Sequence, residues 1–233
     1  MMETTLDRDT LRAYVENQLA LFGGAPSGEI DRVLSVALER FERCLTAIAL
    51  PGYSRAGRPF FNHLHGDQWT IFLYFCANTA WRFLENIDLA AKFYLLNRTL
   101  NSIVIMYDTA LPEIFLLNHA VGTVLGKATY SDYFVAYHNV TIGSDDGVPP
   151  IVGERNVLYA GAAILGRSQT GSGVTVAANS TVLNRSIPAD TIAIGSAGTF
   201  ETFERKRDFA GHYFKLNEAI VDSSPQSILK RGS

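Results

Sequence analysis

The chain has 233 residues, 47% of them hydrophobic, and a formal net charge of −3 with no sustained run of one sign. That is enough apolar material for one large core or two modest ones. It argues against nucleic acid as a partner, because phosphate contacts need a clustered basic surface and Arg205-Lys206-Arg207 is the only tight basic group.

The amino terminus, Met-Met-Glu-Thr-Thr-Leu-Asp-Arg-Asp, is polar and acidic, without the apolar stretch of a secretory signal. No window approaches the roughly eighteen uninterrupted apolar residues of a membrane-spanning helix. Cys44 and Cys76 both lie in apolar helical patterns and read as buried free thiols of a reduced compartment. The expectation is a cytoplasmic protein without a transmembrane segment.

Residues 5–22 read as a first helix, with Leu11, Tyr14, Val15 and Leu19 on one face and Gly23-Gly24 ending it. A second spans residues 30–48, where Ile30, Val33, Leu34, Ala37, Phe41, Cys44, Leu45 and Ile48 recur at three and four. Residues 67–83 form a third that is apolar nearly all round, through Trp69, Ile71, Phe72, Leu73, Tyr74, Phe75 and Trp81. Such a helix must be buried, between others or against a partner subunit. A fourth covers residues 88–105. Helical spacing stops near Tyr107-Asp108, so an α-helical domain is assigned to residues 1–107.

From Pro150 to Pro188 an inward-type residue returns every six positions: Val152, Leu158, Ile164, Thr170, Val176, Val182. A second register four residues behind runs through Asn156, Ala162, Ser168, Val174, Ser180 and Ser186. Six matches neither an α-helix nor a two-sided strand, and requires a solenoid whose wall turns a corner at each repeat. With three repeats per coil, residues about eighteen apart stack at roughly the 4.8 Å of neighbouring strands. Ala162 then lies under Ser180, Ser168 under Ser186 and Leu158 under Val176. Counted backwards, the register passes through Ile142, Ala136, Tyr130, Val124 and Asn118. The step from Ile142 to Val152 is longer and predicts a loop over residues 144–149. The solenoid domain is assigned to residues 108–197. Residues 198–233 would be a short helix over 200–216, capping or crossing the coils, with a frayed tail at 223–233.

The segments Leu117-Asn118-His119-Ala120-Val121-Gly122, Val140-Thr141-Ile142-Gly143 and Ala160-Gly161-Ala162-Ala163-Ile164-Leu165-Gly166, following a helical domain, resemble serine acetyltransferase. More broadly they resemble the left-handed β-helix acyltransferases with hexapeptide repeats. Leu111-Pro112-Glu113-Ile114-Phe115 ahead of the histidine also looks like the O-acetyltransferases of surface-polysaccharide biosynthesis. The resemblance covers about residues 65–195. It implies an α+β fold: an N-terminal α-helical domain, then a left-handed parallel β-helix of hexapeptide repeats, then a short C-terminal helix. It further implies acetyl-CoA as co-substrate, bound in a groove between subunits of a homotrimer or dimer of trimers, and no metal.

Carried onto this chain, the resemblance makes His119 the general base, a task that suits an imidazole of pKa near 6.5. His138, about nineteen residues later, falls one coil on, beside the stacking position of Tyr137. It would orient the acceptor or act as a second base. Asp108 is the expected carboxylate behind His119, with Glu113 as the alternative. Asp67 would bind the acceptor or merely cap the third helix, and Asn118 and Tyr137 would also meet the acceptor. His63 and His65 lie in the same stretch. Backbone groups of Ala160, Gly161, Ala162 and Ala178 would receive the thioester cofactor, since small side chains allow close approach.

Two departures bear on the acceptor. Serine acetyltransferases carry an Arg-His pair where this chain has Gly147-Val148, and Asp-His where it has Asn118-His119. Arg suits a carboxylate and Asp an ammonium group. The chain also ends in Lys-Arg-Gly-Ser rather than the isoleucine that docks the serine enzyme on cysteine synthase, so no such complex is expected. The reading is an acetyl-CoA-dependent O-acetyltransferase acting on a sugar or surface-polysaccharide precursor. Its alternatives are serine O-acetyltransferase, an amino-sugar N-acetyltransferase, a three-histidine zinc enzyme and a non-catalytic scaffold.

Overall fold

The computed structural model describes residues 2–216. Strand β1 (Glu3–Thr4) precedes helices α1 (Arg8–Leu19) and α2 (Ser27–Ala47); β2 (Ser54–Arg55) and β3 (Arg58–Phe61) follow, and then α3 (Gly66–Leu84) and α4 (Ile87–Asn101). The first helix starts later than its spacing predicts. Thr5 donates its N–H to Phe61 O at 3.0 Å, extending the pairing of β1 with β3, and Asp7 then caps α1 by accepting from Thr10 N–H. The last helix ends early, at Asn101, where Ser102 turns left-handed with φ 52°. Beyond it Val104 exchanges hydrogen bonds with Thr123 and Leu125, so residues expected in the helix line the base of the solenoid.

The all-round apolar helix is α3, and its burial is complete within one chain: residues 68 to 80 are all buried. It packs on α2, α4 and the first solenoid strand. No partner subunit is needed to explain its composition.

A parallel β-solenoid follows. Its coils are β4 (Phe115–Leu117), β5 (Val124–Leu125) and β6 (Thr129–Tyr130); β7 (Phe134–Ala136), β8 (Thr141–Gly143) and β9 (Ile151–Val152); β10 (Val157–Leu158), β11 (Ala163–Leu165) and β12 (Gln169–Thr170); β13 (Thr175–Val176), β14 (Thr181–Leu183) and β15 (Ser186–Ile187). Strand β16 (Thr191–Ile194) opens a further coil. Three walls result, ordered β4-β7-β10-β13-β16, β5-β8-β11-β14 and β6-β9-β12-β15. The predicted inward residues Val152, Leu158, Ile164, Thr170, Val176 and Val182 are all buried. Leu158 stacks on Val176 as expected, and the pairing of Ala163 with Thr181 sets Ala162 beneath Ser180.

The backward count slips in the first coil. Its inward residues are Leu117, under Ala136, and Leu125, under Ile142, rather than Asn118 and Val124. Leu117 to Leu125 spans eight residues where Ala136 to Ile142 spans six, so the first corner holds two extra residues. The next side, Leu125 to Tyr130, is one residue short. A corner can gain or lose residues as long as the next inward side chain rejoins its stack. The same shortening from Val182 to Ile187 pairs Gln169 with Ser186, so Ser168 lies under Arg185 and not under Ser186. The loop at 144–149 is present, closed by pairing between Asp145 and Val148.

The expected C-terminal helix is replaced by strand β17 (Glu201–Glu204), antiparallel to β16, whose free edge supplies ladder partners that a helix could not use. The chain then descends the first wall with a single 3₁₀ turn at Ala210–His212 and reaches the end of α2, where Ala49 N–H donates to Tyr213 O at 2.7 Å. Buried Arg205 pins this segment through Asp190 and Asp208, and Asp208 also pairs with Arg155 at 3.1 Å. The tail assigned as frayed, 223–233, lies outside the described residues.

One half-buried ion pair joins the two parts. Arg40 on α2, only 2% exposed, donates from Nη2 to Glu113 Oε1 at 2.8 Å and from Nη1 to Thr79 Oγ1 at 3.0 Å, with its guanidinium 4.9 Å from the Phe75 ring centre. Glu113 therefore holds the helical domain to the solenoid and is not the support of a base. Glu113 reaches solvent and Arg40 does not, so the two removals should differ. Glu113→Ala strands a buried cation and should cost about 3–5 kcal/mol. Arg40→Met fills the space with apolar atoms and leaves a carboxylate that water can reach, at about 1–2 kcal/mol. Urea unfolding of both variants measures the asymmetry; equal losses would contradict it.

Candidate active site

The first corner of the solenoid carries His119. Its regular left-handed residue is Gly122, where a Cβ would collide with the Asn139 side chain of the coil above. The two extra residues add a second left-handed position, His119 itself, at φ 52°. Histidine tolerates this region better than most side chains, but the conformation persists only when its surroundings fix it.

Asp67, in the first turn of α3, supplies the fixing. One carboxylate oxygen accepts the His119 backbone N–H at 3.0 Å, and the other lies 3.4 Å from ring Nδ1. The His119 side chain is 75% exposed and that of Asp67 only 14%. A proton on Nδ1 facing Asp67 leaves the Nε2 lone pair free on the solvent side, the tautomer a base requires. Burial lifts the Asp67 carboxyl above its ordinary value, while His119, its backbone N–H and His65 pull it partly back.

A cavity of about 160 Å³ opens beside the ring, lined by Gly66, Asp67, Thr70, Asn101, Ser102 and His119 together with apolar Leu100, Ala120 and Val121. None of these is a lysine or an arginine. Thr70, Asn101 and Ser102 are contributors that spacing alone did not single out. They come from the start of α3 and the end of α4, and only the docking of helices on the first coil brings them to the histidine.

The other candidates are placed as follows. Asp108 pairs with Lys127 Nζ at 2.9 Å, so the carboxylate at His119 is Asp67 instead. The contact joins residues far apart in sequence, on different elements, and no spacing pattern encodes it. His138 is exposed on the corner one coil up; its carbonyl accepts the Gly161 N–H at 3.0 Å. The stacking of Ala136, Leu158 and Val176 sets His138, Ala160 and Ala178 in one column along this edge. Gly161 N–H and the Ala162 side chain are used inside the coil, whereas Ala178 is exposed and Ala160 half-buried. Asn118 bonds through its N–H to Ala136 O at 2.9 Å and lies under Tyr137. The Tyr137 hydroxyl meets that of Tyr213 at 2.7 Å, and neither Tyr137 nor Asn118 lines the cavity at His119. His63 bonds Thr5 Oγ1 at 2.8 Å, and His65 packs edge-on to Tyr53 just before α3. Among the described residues no three His, Cys, Asp or Glu side chains converge as a metal site, and no helix is long and apolar enough to cross a membrane.

No family model matches the sequence. Curated relatives do. A serine acetyltransferase of Synechococcus elongatus is 32% identical over 108 residues, 44% of each chain, and one of Helicobacter pylori is 34% identical over 94 residues, 38% of this chain and 54% of its own. The chain spans about half the length of the curated relatives it matches. Among solved structures, serine acetyltransferase from Brucella abortus superposes with a TM-score of 0.64 at 22% identity, covering 85% of this chain and 86% of that one. The Neisseria gonorrhoeae serine acetyltransferase gives 0.66 at 19%, covering 93% and 84%. A Brucella abortus serine acetyltransferase in complex with coenzyme A gives 0.62 at 19%, covering 85% and 84%. The class these findings define is the hexapeptide-repeat acyltransferase fold, with N-terminal helices before the solenoid. Within that class, the particular proteins this chain resembles are serine acetyltransferases.

The raised Asp67 carboxyl allows a test that separates orientation from stability. A folded-state pKa above the unfolded one means that the folded protein binds the extra proton, so stability is lost as pH rises from the unfolded to the folded pKa. Asp67→Asn keeps an acceptor for the His119 N–H and removes that loss. The variant should match or exceed wild type in melting temperature at pH 7, with the gain shrinking below the carboxylate range. If His119 acts as a base, the turnover it supports should fall roughly 10- to 100-fold, less than for a fully buried triad carboxylate because the ring is solvated. Loss of melting temperature at pH 7 without loss of transfer would overturn the assignment.

Proposed function

We propose that this chain is an acetyl-CoA-dependent O-acetyltransferase with His119 as general base. The observation carrying the proposal is the Asp67–His119 pair on the enlarged first corner, with a small cavity on one side and a column of small residues along the same edge. The column suits the co-substrate: Ala160 and Ala178 leave the backbone accessible to a thin pantetheine arm, with His138 at its lower end. Acetyl-CoA supplies the activated acyl group.

The steps at this chain's residues follow from that placement. The acceptor hydroxyl enters the cavity and hydrogen-bonds His119 Nε2. As its oxygen attacks the thioester carbonyl, the proton passes to Nε2, and Asp67 at Nδ1 stabilises the imidazolium that forms. The new C–O bond is kept as the C–S bond breaks, and the same proton leaves with the coenzyme A sulfur. His138 faces the same corner and is proposed to orient the acceptor.

The relatives favour serine as that acceptor, and the cavity is small enough for it. A second reading, a glycosyl hydroxyl, is favoured by the lining. Asp67 could meet an ammonium group, but no guanidinium or ammonium lines the cavity for a carboxylate, and burying one unpaired is costly. We further propose a homotrimer. Val121 on the first corner and Val124 and Leu183 on the second wall are exposed apolar side chains that a neighbouring subunit would cover.

His119→Ala should lower acetyl transfer by about 10²–10⁴-fold. Coenzyme A affinity and melting temperature should hardly change, since the ring is largely in solvent; retention of activity within a few-fold would place the base elsewhere. Turnover of acetyl-CoA with L-serine beside a panel of nucleotide sugars and oligosaccharides decides between the acceptors. A sedimentation measurement on the active enzyme tests the assembly, and a fully active monomer would end the trimer proposal.

A further inference from the structure

The returning C-terminal segment does not lie flat on the first wall. It leaves a second cavity, of about 370 Å³, lined by Tyr137 and Tyr159 of the solenoid and by Arg207, Phe209, His212 and Tyr213, with Asp208 beneath. That volume lies within the range of small-molecule sites. The Tyr137 and Tyr159 rings, one coil apart, have centroids 5.2 Å apart at a tilt of 39°, and Phe209 stands edge-on to Tyr159 at 6.4 Å. The Tyr213 hydroxyl lies against those of Tyr137 and Tyr159. The ring walls thus converge on a cluster of three phenolic oxygens.

The charges narrow the ligand. Asp208 is fully engaged: Oδ2 accepts from Arg155 at 3.1 Å, and Oδ1 from Arg205 at 2.7 Å and from Ala210 N–H at 3.1 Å. An aromatic cage for a cation needs a field that a free acid or bare ring faces supply, and here an exposed guanidinium lines the cavity instead. Arg207 lies 4.7 Å over Phe209, and His212 is exposed beside Tyr213. A pocket of aromatic faces with hydroxyl, guanidinium and imidazole groups matches a ring that is C–H on its faces and hydroxylated at its edge. Electron-rich aromatic faces attract such C–H groups, and the polar rim replaces the hydration of the hydroxyls.

We infer that this cavity is a glycosyl-binding site, which takes a hexose-type ring against Tyr159 and holds its hydroxyls through Arg207 and the tyrosine hydroxyls. Its position ties it to the chemistry. Tyr137 immediately precedes His138 and stacks over Asn118, the neighbour of His119, so the cavity lies on the wall that leads into the histidine corner, although the two cavities share no lining residue. That this sugar is the acceptor, or is joined to it, rests on the glycosyl reading of the proposed function; that the cavity binds a sugar does not.

Saturation-transfer NMR and calorimetry on the full chain, with D-glucose, N-acetyl-D-glucosamine and short oligosaccharides of each, test the site directly. Wild type should bind at least one with millimolar or better affinity. Tyr159→Ala and Arg207→Ala should each weaken that binding tenfold or more, with coenzyme A binding unchanged. Arg207 is exposed, so its variant remains informative if Tyr159→Ala fails to fold. No binding of any of these sugars at 10-fold millimolar excess, or binding untouched by both substitutions, would overturn the inference. Turnover separates the two claims. A sugar that binds through Tyr159 and Arg207 but is never acetylated upholds the site and defeats the glycosyl-acceptor reading. A sugar acetylated equally well by both variants does the reverse.

Discussion

Helix α3 is apolar nearly all round and is stable only when surrounded, and the rest of the chain is arranged to surround it. Helices α2 and α4 cover two flanks, and the first solenoid strand lies against a third. The burial of thirteen consecutive residues, 68 to 80, leaves the helix no freedom to slide or rotate. Its first turn is therefore held at a fixed height over the first corner. That is what allows one carboxylate, Asp67, to grip both the backbone and the ring of a residue in a left-handed turn. The chemistry at the edge of the solenoid inherits its geometry from packing in the helical domain.

The solenoid contributes in a different way. Its coils are nearly identical in section, so a side chain on a corner is aligned with those above it by the ladder alone. The column through His138, Ala160 and Ala178 needs no dedicated support. The first coil breaks this uniformity by two residues and presents the histidine at the break. A regular corner would have kept position 119 in the stack, where Gly122 and Asn139 interlock.

The repeat was legible because its cause is local: each side must send one residue inward, and the spacing between such residues is fixed by the side's length. The helices were legible for the same reason, and α3 stood out by lacking a polar face. Register failed where corners change length. An extra pair of residues followed by a short side leaves Val124, itself apolar, only one position from the true inward Leu125. His119 was found through its motif, but its partner was not, because Asp67 is brought to it by the docking of the helices on the solenoid. Asp108 and Glu113 are near in sequence and were the natural choices, yet each answers a cation of its own, Lys127 and Arg40. The C-terminal helix failed for a further reason. The free edge of β16 competes for the same residues, and a local pattern does not register such an edge.

A stack of parallel coils is a template: its last rung offers the same ladder to any strand that arrives, including one from another molecule. Left bare at both ends, such units could join end to end into fibres. Here the lower rung is covered by the helical domain and by the pairing of Val104 with Val124. At the upper rung β17 runs against the direction of every strand beneath it and carries Glu201 and Glu204 at its ends, with all four residues exposed. On this wall a reversed, acidic strand breaks the parallel register that the coils beneath it share. The strand that begins the chain's return down the first wall thus interrupts the parallel ladder of that wall along the solenoid axis.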